Sequence, residues 1–365
     1  RIRCLKKILP PKTKMQFVKL KKYMTQKTVW RKIRKMADKK LFLGIDTSNY
    51  TTSSALSDDG GNILLNFKKL LPVKEGERGL RQSDAVFHHV KGLPEAAREV
   101  ERILADSENG GLTALGVSYA PRDTEGSYMP CFLSGLAAAE YVSAVTNIPL
   151  YRVSHQAGHI MAALNSACRN AGIDRSDLIK KTFVSFHVSG GTTDVLLCNP
   201  DFENVFNISN IGGTNDINAG QAIDRTGVMM GISFPCGAAM DKMAMEYDGK
   251  LPKPKISVNG ANCNLSGLEN KAAEMYKECE DPKKTSAYTL SFIASTLSEI
   301  TKNVLAKYGD LPIVYAGGVM SSAYIKKSLS KYGIFADPEF SSDNAAGTAL
   351  LAAELYKRGI VQDER

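Results

Sequence analysis

From residue 41 onward the chain alternates short apolar runs with longer amphipathic stretches. Runs of strand type, rich in Ile, Leu, Val and Phe, fall at 41–46, 52–57 and 62–68. A helix is predicted near 84–106, a strand at 113–119, a helix at 131–146 and a short strand at 149–153. The second half opens the same way, with strands at 182–188, 193–198 and 203–208. Helices follow at 215–230, 238–247 and 285–308, then a strand at 312–316 and helices at 320–331 and 343–358. Three strands followed by helices and strands, twice, predict an α/β fold of two lobes with mixed sheets. A ligand is expected in the cleft between them.

The repetition extends to individual residues. Laying LGIDTSNYTTSSAL, from Leu43 to Leu56, over VSFHVSGGTTDVLL, from Val184 to Leu197, needs no gap at an offset of 141. Each copy reads as a β-hairpin with a tip of small and hydroxyl residues: Ser48-Asn49-Tyr50-Thr51-Thr52 in the first, Ser189-Gly190-Gly191-Thr192-Thr193 in the second. Gly190 and Gly191 can take positive φ, and their N–H groups can cradle an anion such as a phosphate, helped by the Ser and Thr hydroxyls. One such tip is an ordinary turn. Two in register point to a duplicated ligand-handling device.

Composition changes this picture little: 365 residues, 43% hydrophobic and 23% charged, suit two globular lobes. No run of 18 apolar residues marks a membrane-spanning helix. Seven scattered cysteines with no C-x-x-C suggest neither a disulfide framework nor a zinc knuckle, so a cytoplasmic location is expected.

The net charge of +9 is unevenly placed. Residues 1–40 hold 16 Lys and Arg against the single acid Asp38, which leaves the remainder at −6. Such an arm could bind RNA phosphates. Met36-Ala37-Asp38-Lys39-Lys40 runs into the first strand in the manner of a natural start, so 1–35 is expected to lie upstream of it. The organisation expected is a basic extension over 1–40, a first lobe over 41–153, a second lobe with helical insertions over 154–342, and a C-terminal helix over 343–365 that returns to the cleft.

Candidate chemistry concentrates in the cleft. In His155-Gln156-Ala157-Gly158-His159, followed by an apolar helical stretch, histidines four apart share a helix face and can share a metal. Asp343, expected to head the last helix, suits a third ligand, although Asp343 or Ser342 could serve only as its cap. Asp224, between apolar neighbours in Ala222-Ile223-Asp224-Arg225-Thr226, could accept ribose hydroxyls or pair with Arg225. Phe234-Pro235-Cys236-Gly237 and Ala316-Gly317-Gly318-Val319 are turns where a nucleotide could approach the backbone.

These motifs together resemble the TsaD family, which makes threonylcarbamoyladenosine in tRNA. Ser189-Gly190-Gly191-Thr192-Thr193 matches S-G-G-H-T, Ala222 to Thr226 matches A-F-D-K-T, and Phe234 to Gly237 matches Y-P-G-G. Ala316 to Val319 matches A-G-G-V, Asp343 to Ala346 matches D-N-A-A, and His155 with His159 matches H-x-x-x-H. The resemblance runs from about 41 to 355. It implies two duplicated actin-like ATPase lobes with mixed β-sheets flanked by helices, the active site lying in the interlobe cleft. It implies one Fe or Zn ion on His155, His159 and Asp343. It places a bound threonylcarbamoyl-AMP or ATP against His187, Val188, Ser189, Gly190, Gly191, Asp224, Gly237, Gly317, Gly318 and Ser322, with Ser48 and Thr51 left to serve catalysis in the first tip. Implied partners are tRNA as substrate, a TsaB-like subunit docking on the helices near 84–106 and 131–146, and a P-loop ATPase subunit.

The sequence departs from the family in places. The first hairpin lacks the acidic pair of E-T-S-C-D-E-T, Thr192 replaces the histidine of S-G-G-H-T, Ser322 falls where an asparagine follows A-G-G-V, and Glu269 replaces a basic residue. Beside metal-dependent threonylcarbamoyl transfer to adenosine 37 of tRNAs reading ANN codons, two readings therefore stand: a paralogue that uses the same metal and nucleotide site on another acceptor, and a non-catalytic TsaB-like partner. A peptidase is not indicated, because H-x-x-x-H lacks the glutamate of H-E-x-x-H.

Overall fold

The computed structural model describes residues 40–48, 50–73, 80–105, 111–341 and 343–362. Most of the basic arm lies outside them. The chain order is β1 (Lys40–Asp46), β2 (Thr51–Asp58), β3 (Ile63–Leu70), α1 (Gln82–Leu104), β4 (Gly111–Ala120), α2 (Phe132–Thr146), β5 (Leu150–Ser154) and α3 (His155–Ala171). There follow α4 (Arg175–Leu178), β6 (Phe183–Val188), β7 (Thr193–Asp201), β8 (Val205–Thr214), α5 (Ala219–Met229), α6 (Gly237–Met245), β9 (Ser257–Asn259) and β10 (Asn262–Asn264). The remaining elements are α7 (Ser266–Cys279), α8 (Pro282–Tyr308), β11 (Ile313–Ala316), α9 (Ala323–Leu329), β12 (Ile334–Phe335) and α10 (Ala346–Lys357).

Two mixed sheets result, ordered β3-β2-β1-β4-β5 and β12-β11-β6-β7-β8-β10-β9. In each, an antiparallel meander (β1-β2-β3, β6-β7-β8) joins parallel strands, the arrangement expected of an actin-like duplication. The duplication holds at the level of register. Asp46 faces Ser53 across the first hairpin, and His187 faces Asp194 across the second, each pair separated by the same 141 positions.

Residues of β1 and β6 are buried on both faces because helices cover both sides of each sheet. The layer shared by the two sheets is the pair α3 and α10. Its core joins Phe42 and Tyr151 of the first sheet, Met161 and Leu164 of α3, Phe183, Leu196 and Phe206 of the second sheet, and Leu350 and Leu351 of α10. Glycine makes this approach possible. A Cβ at 347 would stand 1.7 Å from the Gly158 carbonyl oxygen, so the two helix backbones touch there.

Several details differ from the sequence reading. The helix expected at 215–230 starts at Ala219, that expected at 320–331 opens as a 3₁₀ turn (Gly318–Ser321), and the last begins at Ala346, three residues late. The predicted elements omitted α4, α7, β9, β10 and β12. These are short, or, for α7, charged and with few apolar positions, so periodicity carries little signal.

The outer edge of the first sheet is closed by the C-terminal segment. Arg152 N–H donates to the Gln362 side-chain oxygen (2.7 Å), the Gln362 amide donates to Arg152 O (3.4 Å), and Tyr151 hydroxyl donates to Ile360 O (3.0 Å). Among the described residues, no helix is long and apolar enough to cross a membrane.

Candidate metal centre

Helix α3 starts directly from β5, with Ser154 as its cap accepting the Ala157 N–H. That places His155 and His159 on its first turns, one above the other, with their Nε2 atoms 2.9 Å apart. Asp343 comes from the loop before α10. Its Oδ1 lies 3.3 Å from His159 Nε2 and 3.6 Å from His155 Nε2. Because the helix begins only at Ala346, Asp343 does not head it; the Ala346 N–H goes to Asn344 Oδ1 instead. The carboxylate is thus free to face the histidines.

These donors fit one divalent ion. Metal–ligand bonds of about 2.0–2.2 Å put two donors of one ion about 3.0–3.6 Å apart, and these three atoms stand 2.9, 3.3 and 3.6 Å from one another. The histidine tautomer also fits. His155 Nδ1 lies 2.7 Å from Asp46 Oδ2; a carboxylate only accepts, so Nδ1 carries the hydrogen, and in the neutral ring that a metal requires Nε2 presents the lone pair.

The sequence reading did not select Asp46. It is buried at the end of β1, where its other oxygen accepts the Ser48 N–H (2.8 Å), while Ser118 Oγ donates to Oδ2 (2.9 Å). Burial opposes its charge, but His155 and these hydrogen bonds outweigh that and hold its pKa well below the usual carboxylate range. The signal was present in the repeat: at an offset of 141, Asp46 occupies the place of His187. The two copies of one hairpin position thus both reach the centre, since the His187 ring stands edge-on to that of His159 at 5.2 Å. Burial, then its two histidine neighbours, push His187 down to about 3, so it is neutral at pH 7.

The second tip does not use the freedom its glycines offer. Neither Gly190 nor Gly191 has positive φ. The tip closes through Ser189, whose N–H donates to Thr192 O and whose Oγ accepts from both Gly191 and Thr192 N–H. Those donors are spent within the turn rather than presented to an anion. Gly190 and Gly191 are themselves sterically open; the close approach is made by Gly220 of α5, whose Cβ would fall 2.6 Å from Gly190 Cα. Gly317 is similar. At φ +103 it lies against Val188, where a Cβ would meet the carbonyl oxygen at 2.1 Å.

The other named residues form a second group around α5, α6 and α9. Asp224 does not pair with Arg225, which binds Glu269; one Asp224 oxygen accepts the Cys236 N–H (2.8 Å) and fixes the turn before Gly237. Ser322 caps α9 through the Ile325 N–H and donates to Asp241. Gly237 and Gly318 are sterically open. In the first hairpin Ser48 and Thr51 are buried, and Ser48 Oγ has no hydrogen-bond partner among the described residues. Thr47 pins the tip to α2, its Oγ1 donating to Cys131 O and accepting from Gly135 N–H, each at 3.0 Å.

Comparison with known proteins decides the family. Residues 84–350 match the profile described as "TsaD: tRNA N6-adenosine threonylcarbamoyltransferase". The chain belongs to the TsaD family. Two TsaD relatives, each named tRNA N6-adenosine threonylcarbamoyltransferase, come from Thermosipho africanus (28% identical, covering 88% of this chain and 96% of the relative) and Thermotoga neapolitana (27%, covering 87% and 95%). Two HypF structures share the fold: full-length HypF in its phosphate- and nucleotide-bound form (TM-score 0.51, 10% identical, covering 88% of this chain and 56% of that one) and HypF of T. kodakarensis (TM-score 0.51, 12% identical, covering 89% and 48%). The TsaD profile takes in both histidines, His187, Asp224 and Asp343, but begins after the first hairpin and Asp46.

Proposed function

We propose that this chain transfers the threonylcarbamoyl group of threonylcarbamoyl-AMP to the exocyclic amine of adenosine 37 in tRNAs reading ANN codons, with one Fe or Zn ion held by His155, His159 and Asp343. The observation that carries the reading is the convergence of those three donors, within 3.6 Å of one another, in a chain of the TsaD family. In the transfer the amine nitrogen bonds to the carbamoyl carbon, the bond from that carbon to the phosphate oxygen breaks, AMP departs with the bonding pair, and the amine proton passes to solvent.

The bound ion would supply Lewis acidity and a template for the negatively charged donor. The protein's residues supply placement. Asp46 orients His155, and the Ser48 hydroxyl, buried and without a protein partner among the described residues, can hydrogen-bond the donor. Asp224 fixes the turn at Cys236 and Gly237 on which the adenosine is proposed to rest. A cytoplasmic enzyme working with a TsaB-like subunit and a P-loop ATPase subunit completes the proposal.

The test is a transfer assay with freshly made donor, unmodified cognate tRNA and partner subunits, nucleosides being read by mass spectrometry. Threonylcarbamoyladenosine that forms only with this chain present supports the reading. Its absence, with metal and donor both bound, would mean another acceptor.

The assay also grades Asp46. Asp46→Asn keeps an acceptor for the Ser48 N–H, but its amide nitrogen takes the place of the oxygen facing Ser118 and His155 and the charge is lost, so metal affinity is expected to fall about 10- to 100-fold. A competition titration against a chelator measures this, and unchanged affinity would remove Asp46 from the site.

A further inference from the structure

Arg122 has no place in the motifs considered so far. The segment after β4 is tied to the residues flanking His155: Gln156 N–H donates to Pro121 O (3.0 Å), and Ser154 Oγ donates to Asp123. Arg122 sits between these anchors. Its guanidinium crosses to the second sheet, Nη2 lying 3.4 Å from Asp194 Oδ2. Asp194 is the cross-strand neighbour of His187, so both side chains leave the same face of that sheet, the face on which His187 meets His159. Both ends of Arg122 are thereby fixed beside the candidate centre.

The pair with Asp194 is a loose one. Among the described residues it is the only hydrogen bond or ion pair of the guanidinium, made by one nitrogen at the long end of the range, with the arginine side chain 51% exposed. Arg122 and the Asn210 side chain both favour the Asp194 charge. Burial outweighs both partners and pushes its pKa up, so its charge is incompletely stabilised where it stands. A cation held this way is positioned, with most of its donors unspent. A second cation, Lys68, donates to Glu339 O on the Asp343 side.

We infer that Arg122 is the specificity-determining residue for the acyl group, binding the carboxylate of its amino-acid part. The inference rests on the transferase reading. A threonylcarbamoyl group differs from a plain carbamoyl group by an amino acid that brings one carboxylate, and desolvating that charge needs a matching donor. The guanidinium fork fits a carboxylate with two parallel hydrogen bonds, which an ammonium does not reproduce. Asp194 holds the fork in place until the ligand carboxylate replaces it.

Calorimetric titration with threonylcarbamoyl-AMP, and with an analogue in which a methyl group replaces the carboxylate, tests this on the unsubstituted full chain, Arg122→Ala, Arg122→Lys and Asp194→Asn. The unsubstituted protein is expected to prefer the carboxylate ligand by about 10- to 100-fold, the range of charge-assisted hydrogen bonds. Arg122→Ala should erase that preference while binding the methyl analogue unchanged, Arg122→Lys should keep part of it, and Asp194→Asn should bind the carboxylate ligand at least as tightly. Equal weakening toward both ligands, or no change toward either, overturns the inference. So does a raised KM for tRNA with donor affinity intact, which would assign Arg122 to the RNA backbone. A protein that binds the donor with carboxylate preference yet transfers nothing fails the transferase reading alone. One that binds neither ligand fails both.

Discussion

Replacing His155 and His159 together by alanine is expected to abolish metal retention and to lower threonylcarbamoyl transfer by about a thousandfold or more, while the protein stays folded. Two of three donors disappear, and Asp343 alone in a partly exposed site cannot hold a divalent ion at micromolar concentration. Alanine is the best helix former, so α3 loses nothing intrinsic. One cost remains: Asp46 loses the ring that faces it, although Ser48 N–H and Ser118 Oγ still satisfy it, so stability should fall by about 1–3 kcal/mol. His159→Ala alone keeps the Asp46–His155 pair and should lose metal with little loss of stability. Elemental analysis, urea unfolding and the transfer assay separate these effects. Stoichiometric metal in the double variant would disprove the assignment of the ligands.

Gly347→Ala is expected to destabilise the fold by about 3 kcal/mol or more, and to weaken metal binding without touching a donor. The added methyl would meet Gly158 O at 1.7 Å, Gly158 C at 2.6 Å and Ala162 N at 2.9 Å, all backbone atoms of α3 that no rotamer change can move. The helices must separate. One carries His155 and His159 on its first turns, and the other follows Asp343 by three residues, so their spacing sets the distance between the donors. Gly267→Ala, where a Cβ meets nothing within 4 Å, is the matched control and should be near neutral. A loss below about 1 kcal/mol at Gly347 would show that the contact relaxes freely.

The strands and long helices of both sheets were legible because burial on two faces writes continuous apolar runs, as in β1 and β6. The repeat at 141 carried more, since it marked the two stretches as copies of one hairpin, and the two hairpins do pair at equivalent positions. His155, His159 and Asp343 were legible as donor types at a helical spacing and in a helix-flanking loop. Asp46 was not, because an aspartate ending a strand looks like any turn residue until the fold brings α3 beside it. The glycines misled for a related reason. Gly190 and Gly317 read alike as ligand cradles, whereas Gly190 is sterically open and Gly317 brings the chain's own backbone against β6. From sequence, a glycine that admits a ligand and one that admits a neighbouring strand look the same. Arg122 left no trace, its role depending on contacts more than 30 residues away on either side of the cleft.

The Gln362 amide has a consequence for the protein's behaviour at high concentration. Strand β5 borders the first sheet with its backbone groups facing outward, the geometry on which a strand from another molecule could template itself. One side chain, presenting an acceptor and a donor to the same residue, imitates the incoming strand and occupies that position. The sheet therefore ends against its own chain, and edge-to-edge self-association at Arg152 would first have to displace this plug.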